Sequence, residues 1–225
     1  MRKFFTTITV MCLAWMNMAF GQTTDFLKDF DRVNIQGNIV VRLESADAES
    51  VMVANGADKI TVETEGRTLK IKMNFREQVK GEQVEVKINY KMLKAVKAGG
   101  GASVYVSIPR KDVDFEAYVY SGATLWLEGD FSSLELDAGT GGKIEASGRA
   151  EYLEAEAITT GEIKAGRLEA EKALLKAHTG GILEASVKRS VEASVSTAGE
   201  LILIGNPEEE KISTSAGGKL TRIRK

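Results

Sequence analysis

A small-residue corner that returns seven times constrains this chain more than any other feature. It reads Gly-Gly-Ala102-Ser-Val, Ser-Gly-Ala123-Thr-Leu, Thr-Gly-Gly142-Lys-Ile, Thr-Thr-Gly161-Glu-Ile, Thr-Gly-Gly181-Ile-Leu, Thr-Ala-Gly199-Glu-Leu and Ala-Gly-Gly218-Lys-Leu, at spacings of 21, 19, 19, 20, 18 and 19 residues. A unit of that length cannot bury its own apolar side, so stacking like positions into ladders is the way to build a core.

The flanks of each corner alternate with a period of two. Two residues past it lie Val104, Leu125, Ile144, Ile163, Leu183, Leu201 and Leu220, and two further on lie Val106, Leu127, Ala146, Ala165, Ala185 and Leu203. Ahead of it run Val96, Ala117, Leu136, Ala155, Leu175, Ala193 and Ile212, then Ala98, Val119, Ala138, Ala157, Ala177, Val195 and Thr214. These rows point inward. Arg222 breaks the second row in the seventh coil, and the register is expected to fail there. The residues between them, among them Glu135, Asp137, Glu145, Glu154, Glu156, Glu162, Lys164 and Lys176, face water. The pattern predicts an all-β fold, a parallel β-solenoid of about seven coils over residues 91–225. The crossover preference of parallel strands makes it right-handed. Its many inward alanines require a narrow, flattened bore. Two prolines and 22 glycines agree with strands and tight turns. Glu154-Ala-Glu-Ala and Leu168-Glu-Ala-Glu-Lys-Ala use good helix formers, but alternation at period two makes a poor helical stripe. Arg167 to Ala173 is left open as a helical turn or loop.

Residues 22–90 carry larger apolar residues and no such repeat. Strands are expected over Phe30 to Leu43, Val51 to Val53, Lys59 to Glu65, Thr68 to Met73 and Glu82 to Asn89, with turns at Gly37-Asn38, Asn55-Gly56 and Glu65-Gly66-Arg67. They form a β-layer, sandwich-like or hairpin-like, packed on the solenoid and shielding its first edge.

Residues 1–21 read as a secretory signal: Arg2 and Lys3, an apolar stretch from Phe4 to Phe20, and Ala19-Phe20-Gly21 as the cleavage site. The alternative is an N-terminal membrane anchor, for which the stretch is marginal in length and interrupted by threonines. The single cysteine, Cys12, falls inside this signal, so disulfides, thiol nucleophiles and thiolate metal sites are excluded from the mature chain. Cys12 follows the bulky Met11, which argues against lipidation. Without Arg2 and Lys3 the chain has 28 basic against 32 acidic residues, a net −4. This mild, interspersed acidity argues against nucleic acid or anionic lipid as the main partner.

Phe30-Asp-Arg-Val-Asn-Ile-Gln-Gly-Asn-Ile-Val-Val-Arg-Leu43, the Thr68-Leu-Lys-Ile71 strand and the string of Ser/Thr-Gly corners resemble the auto-transporter adhesin head domain family, the GIN domain, from residue 30 almost to the end. The resemblance implies a right-handed parallel β-helix with an N-terminal β-layer. It also implies export to the periplasm or cell surface of a Gram-negative bacterium. It supplies no catalytic or binding residue.

Enzymes on parallel β-helices use clustered carboxylates for calcium or acid–base chemistry. Here Asp47, Asp58, Asp112, Asp114 and Asp130 mark turns and the glutamates scatter along outward faces. No zinc helix, phosphate loop or nucleophile elbow appears, so no catalytic residue, metal or cofactor is expected. His178, the single histidine, is read as a surface residue. Tyr105 and Trp126 align on adjacent coils as an outward ladder, and Tyr118 and Tyr120 lie outward on the preceding strand. They are either a contact patch for a glycan, an envelope protein or a second copy, or ordinary core beneath the N-terminal layer. The second is preferred, since one uncovered patch of that size is unusual on a monomer. Three functions follow: an exported, non-enzymatic, adhesin-like binding or structural protein, which is preferred; a carbohydrate-active enzyme on an acidic polysaccharide; and a self-associating protein.

Overall fold

The computed structural model describes residues 28–224. The signal segment, its cleavage site and Cys12 lie outside the described residues. The chain forms a parallel β-solenoid of about seven turns, mostly strand.

Each coil has two strand runs meeting at the small-residue corner. Strands β7 (Ala95–Gly99), β8 (Ser103–Tyr120), β9 (Thr124–Gly139), β10 (Lys143–Ile158), β11 (Glu162–His178), β12 (Ile182–Val195), β13 (Glu200–Ile204), β14 (Glu209–Thr214) and β15 (Lys219–Ile223) follow in chain order. β8 to β12 each bend once and contribute to both runs. The predicted rows are observed as strand registers: Val104, Leu125, Ile144, Ile163, Leu183, Leu201 and Leu220 are successive partners, as are Ala117, Leu136, Ala155, Leu175, Ala193 and Ile212. Down to Leu201 and Ala193 they are buried; at the last coil Ile212 and Leu220 are half-buried and Arg222 is exposed. Arg167 to Ala173 is strand, not helical turn or loop: Leu168, Ala170 and Ala173 are buried in β11, and a register shift near Ala165 absorbs the extra residue.

The corner has a physical reason for its residues. In Tyr120-Ser-Gly-Ala123, the Ala123 N–H donates to the Tyr120 carbonyl at 3.2 Å, and Ser121 and Gly122 both have positive φ, as a type I′ turn demands. Stacked turns are bonded to one another: the N–H groups of Gly122, Gly141, Thr160, Gly180 and Ala198 donate to the carbonyls of Thr140, Thr159, Thr179, Thr197 and Ala216. A left-handed non-glycine residue costs about 1–2 kcal/mol. The turn-to-turn bonds hold Thr140, Thr159, Thr179 and Thr197 there despite their branched Cβ. At the closing position, a Cβ on Gly142, Gly161, Gly181 or Gly199 would strike the backbone carbonyl of Val119, Ala138, Ala157 or Ala177.

The N-terminal strands are β1 (Arg32–Gln36), β2 (Ile39–Ser45), β3 (Ser50–Val53), β4 (Ile60–Glu65), β5 (Thr68–Met73) and β6 (Val84–Tyr90), with a short helix α1 (Phe75–Val79). They do not lie over the first coils. β1 pairs in parallel with β7, and β2 with β8, so Gly37-Asn38 occupies the place of a corner. β5 and β6 form the next rung outward, paired in parallel with β1 and β2. Antiparallel β4 and β3 close that end. The segment thus lengthens the rod and seals its edge. The core is continuous through all rungs, running from Ile71 through Ile35 to Ala98 along one row.

Candidate functional site

The register that stacks inward rows also stacks outward ones, and this positions the aromatics. Arg42, Tyr105 and Trp126 are successive partners on β2, β8 and β9. The Tyr105 and Trp126 rings stack with centroids 4.4 Å apart and an interplanar angle of 4°. The Arg42 guanidinium caps the other side of Tyr105, 5.0 Å from its centroid. Both rings are half-buried, because β2 lies beside β8 in the sheet rather than over its outer face. They are therefore not core beneath an N-terminal layer. A parallel stack uses up ring faces, so this ladder presents ring edges, the tyrosine hydroxyl and the indole N–H.

A shallow groove of about 320 Å³ runs beside the ladder, bounded by Glu44, Ser107, Glu128, Glu145 and Arg167. Arg167 reaches Glu145 at 3.6 Å, and Lys87 pairs with Glu44 at 2.6 Å. Apolar ring edges are thus framed by cations and carboxylates, an arrangement that can take a hydroxyl-rich or peptide-like ligand.

Tyr118 and Tyr120 belong to a separate place, on the run before the corner. Lys97, Tyr118, Asp137, Glu156 and Lys176 form one outward column there. The Tyr118 hydroxyl donates to Glu135 Oε1 at 2.9 Å. Tyr120 leans the other way, over Gly99, where Gln36 Nε2 donates to its hydroxyl at 2.5 Å and Lys97 Nζ lies 5.4 Å from the ring centroid. Burial and then the Glu135 hydrogen bond push the Tyr118 phenol well above its ordinary range. Burial, then the charges of Glu135, Glu156 and Glu154, push the Asp137 carboxyl up to about 6, opposed by Lys176. A surface hollow of about 420 Å³ lies between Tyr120, Asp137 and Ile158. The four aromatics therefore form two pairs with no shared groove.

His178 is half-buried at the same face, its Nδ1 2.7 Å from Ser196 Oγ. Among the described residues no group of three or more His, Cys, Asp or Glu side chains could hold a metal ion, and no helix is long and apolar enough to cross a membrane. Arg42 is not legible from the repeat, because Gly37-Asn38, a turn in the sequence reading, lies about 64 residues before the Ala102 corner instead of one coil before it. Aligned as a corner, it would have put Arg42 on Tyr105. Lys97 and Asp137 were legible from the row spacing around Tyr118.

Residues 29–207 match the family described as "Putative auto-transporter adhesin, head GIN domain". No curated protein matches the chain. Among solved structures, a protein from Bacteroides fragilis described as a "putative adhesin" superposes with a TM-score of 0.79 at 15% identity, covering 90% of this chain and 96% of that one. One from Parabacteroides distasonis gives 0.67 at 18% identity, covering 90% and 98%. A second P. distasonis protein, described as a putative lipid binding protein, gives 0.62 at 23% identity, covering 90% and 96%. At these identities the likeness is one of fold.

Proposed function

Because this chain belongs to the auto-transporter adhesin head GIN domain family, we propose that it is a non-enzymatic, adhesin-like binding module exported to the cell envelope, where it recognises a glycan. The observation that carries this reading is the Arg42–Tyr105–Trp126 ladder, half-exposed on a rigid sheet beside a 320 Å³ groove. Ring edges and polar handles at fixed spacing suit a partner that is apolar on its ring faces and hydroxylated around them. The ladder belongs to continuous β-sheet, so its geometry is set before binding and little ordering cost is added on association. Several of the outward carboxylates form ion pairs with lysines, as Glu154 does with Lys176 at 3.0 Å and Glu162 with Lys164 at 2.9 Å, which is how a solvated face is built.

The test is a glycan array with the full chain and with Trp126→Ala. The parent should give selective hits that the variant loses by at least about tenfold, since a central aromatic contact contributes about 1.4 kcal/mol or more. Removing the ring also breaks its stack on Tyr105, at a cost of about 0.5–1.5 kcal/mol beyond the buried area, so the variant should stay folded with a modestly lower Tm. Hits that persist undiminished in Trp126→Ala would remove the ladder from the binding surface.

A further inference from the structure

Each coil turns twice, once at the small-residue corner and once at a far bend. Between Gly129 and Phe131 the bend of β9 needs one residue, whereas β8 uses four, Pro109 to Asp112, between the partners Ile108 and Val113. Asp112 takes a left-handed φ of 54° to close that excursion. The extra residues stand away from the rod and wall off a crevice of about 390 Å³ against the segment joining β6 to β7. That opposite wall is fixed at its base: the Lys94 N–H donates to the Asp31 carbonyl at 2.7 Å, and the Lys94 carbonyl accepts from the Glu116 N–H at 2.9 Å. The Tyr90 hydroxyl donates to the Ser107 carbonyl at 2.9 Å, which presents the ring, not the hydroxyl, to the interior.

The lining divides into two chemistries. Leu93, Ile108, Val113 and the Tyr90 ring form an apolar floor, and burial pushes the Tyr90 phenol up to about 12, so it is neutral. Around the rim, four basic side chains (Arg32, Lys91, Lys94, Arg110) meet three acidic ones (Asp114, Glu116 and, beside Lys91, Asp29), a local excess of one positive charge on a chain whose net charge is −2. Arg32 is neutralised by Glu116 at 2.9 Å and Lys91 faces Asp29 at 3.7 Å. Lys94 and Arg110 have no ion pair within 4 Å among the described residues, and both are exposed. An apolar-floored crevice within the roughly 300–1,000 Å³ range of small-molecule sites, with two uncommitted cations at its mouth, matches one kind of occupant. We infer that this crevice binds an amphiphilic anion of the fatty-carboxylate class, its carboxylate between Lys94 and Arg110 and its alkyl chain on Leu93, Ile108 and Val113. This site is separate from the aromatic ladder and does not depend on glycan recognition.

The full chain titrated with octanoate and followed by amide and methyl NMR should show saturable shifts at Leu93, Ile108 and Val113, with a Kd of about 0.1–1 mM for a ligand this small. Octan-1-ol, which keeps the tail and lacks the charge, should bind at least about tenfold more weakly. The double variant Lys94→Gln/Arg110→Gln should lose about tenfold with unchanged Tm, because both side chains are exposed. Val113→Trp should block the floor while leaving the rim charges in place. Absence of saturable shifts, equal binding of octanol, or undiminished binding by the double variant would overturn the assignment. Co-sedimentation of the chain with phosphatidylglycerol vesicles without octanoate binding would also overturn it, and would move the basic rim to a bilayer surface.

Discussion

Where β5, β1 and β7 meet, the interior is filled by Leu69, Ile71, Val33, Ile35 and Val96, whereas from β9 to β11 the matching rows hold Ala138, Ala155, Ala157 and Ala177 between occasional leucines. Both regions are sealed to the same degree, with these residues all at 0–1% exposure. The first reaches that density with large side chains on rungs assembled out of chain order, closed by antiparallel β3 and β4. The second reaches it with small side chains in these rows, on coils that follow one another directly. A solenoid core thus needs like positions stacked over like, and it does not need those positions to be evenly spaced in sequence.

The contrast predicts opposite sensitivities. Ile35 is fully buried between Ile71 and Ala98, at the joint between the N-terminal rungs and the coils. Ile35→Ala should leave a cavity there and cost about 2–5 kcal/mol. Urea unfolding would show this as a lower midpoint at unchanged slope, and a loss under about 1 kcal/mol would mean that the joint is not closely packed. In the alanine-rich coils the damaging change is enlargement. Ala155, fully buried between Leu136 and Leu175, has no room for three more carbons, so Ala155→Leu should cost about 1–3 kcal/mol by the same measurement. Full tolerance of leucine there would refute the narrow bore.

This difference also explains what the sequence could and could not reveal. From residue 95 onward the repeat exposed the four inward rows flanking the corner, because the chain itself lists the coils in stacking order; the rows nearer the far bend, such as Phe115, Leu134 and Leu153, are buried as well and were not legible from it. The register does not fail at Arg222, which stays paired with Leu203; what is lost over the last coil is burial. Before residue 95 the strands were legible singly from their alternation and turn residues, yet their pairing was not. β1 lies between β5 and β7, and the insertion of β3, β4, β5 and β6 separates two adjacent rungs by about fifty residues. No local signal encodes such an interleaving. The ladder of Tyr105 and Trp126 was visible for the same reason as the core, since outward and inward rows share one register. The crevice behind Pro109 was invisible, because it is made where one coil departs from the repeat.

The smallest expected effect tests the outer surface of the alanine-rich coils, where stacking like over like places acid beside acid. Asp137 stands next to Glu156 in its column, with Glu135 and Glu154 in the neighbouring one, and its folded pKa of about 6 exceeds the ordinary 3.8. A carboxyl whose pKa is raised by folding binds its proton more tightly in the native state, so its contribution is most favourable below about pH 4. Stability then falls as pH rises from 3.8 to 6 and stays lower above it. Asp137→Asn, which removes the charge and keeps the shape, should therefore stabilise the chain at pH 7–8 and have little effect near pH 3.5. The side chain is only half-buried, so solvent screening holds the gain to less than about 1 kcal/mol. Melting curves of parent and variant across pH 3.5 to 8 should diverge with rising pH. Parallel curves would mean that Lys176 and solvent already offset the repulsion, and that repeated like-charge ladders carry no stability penalty on this face.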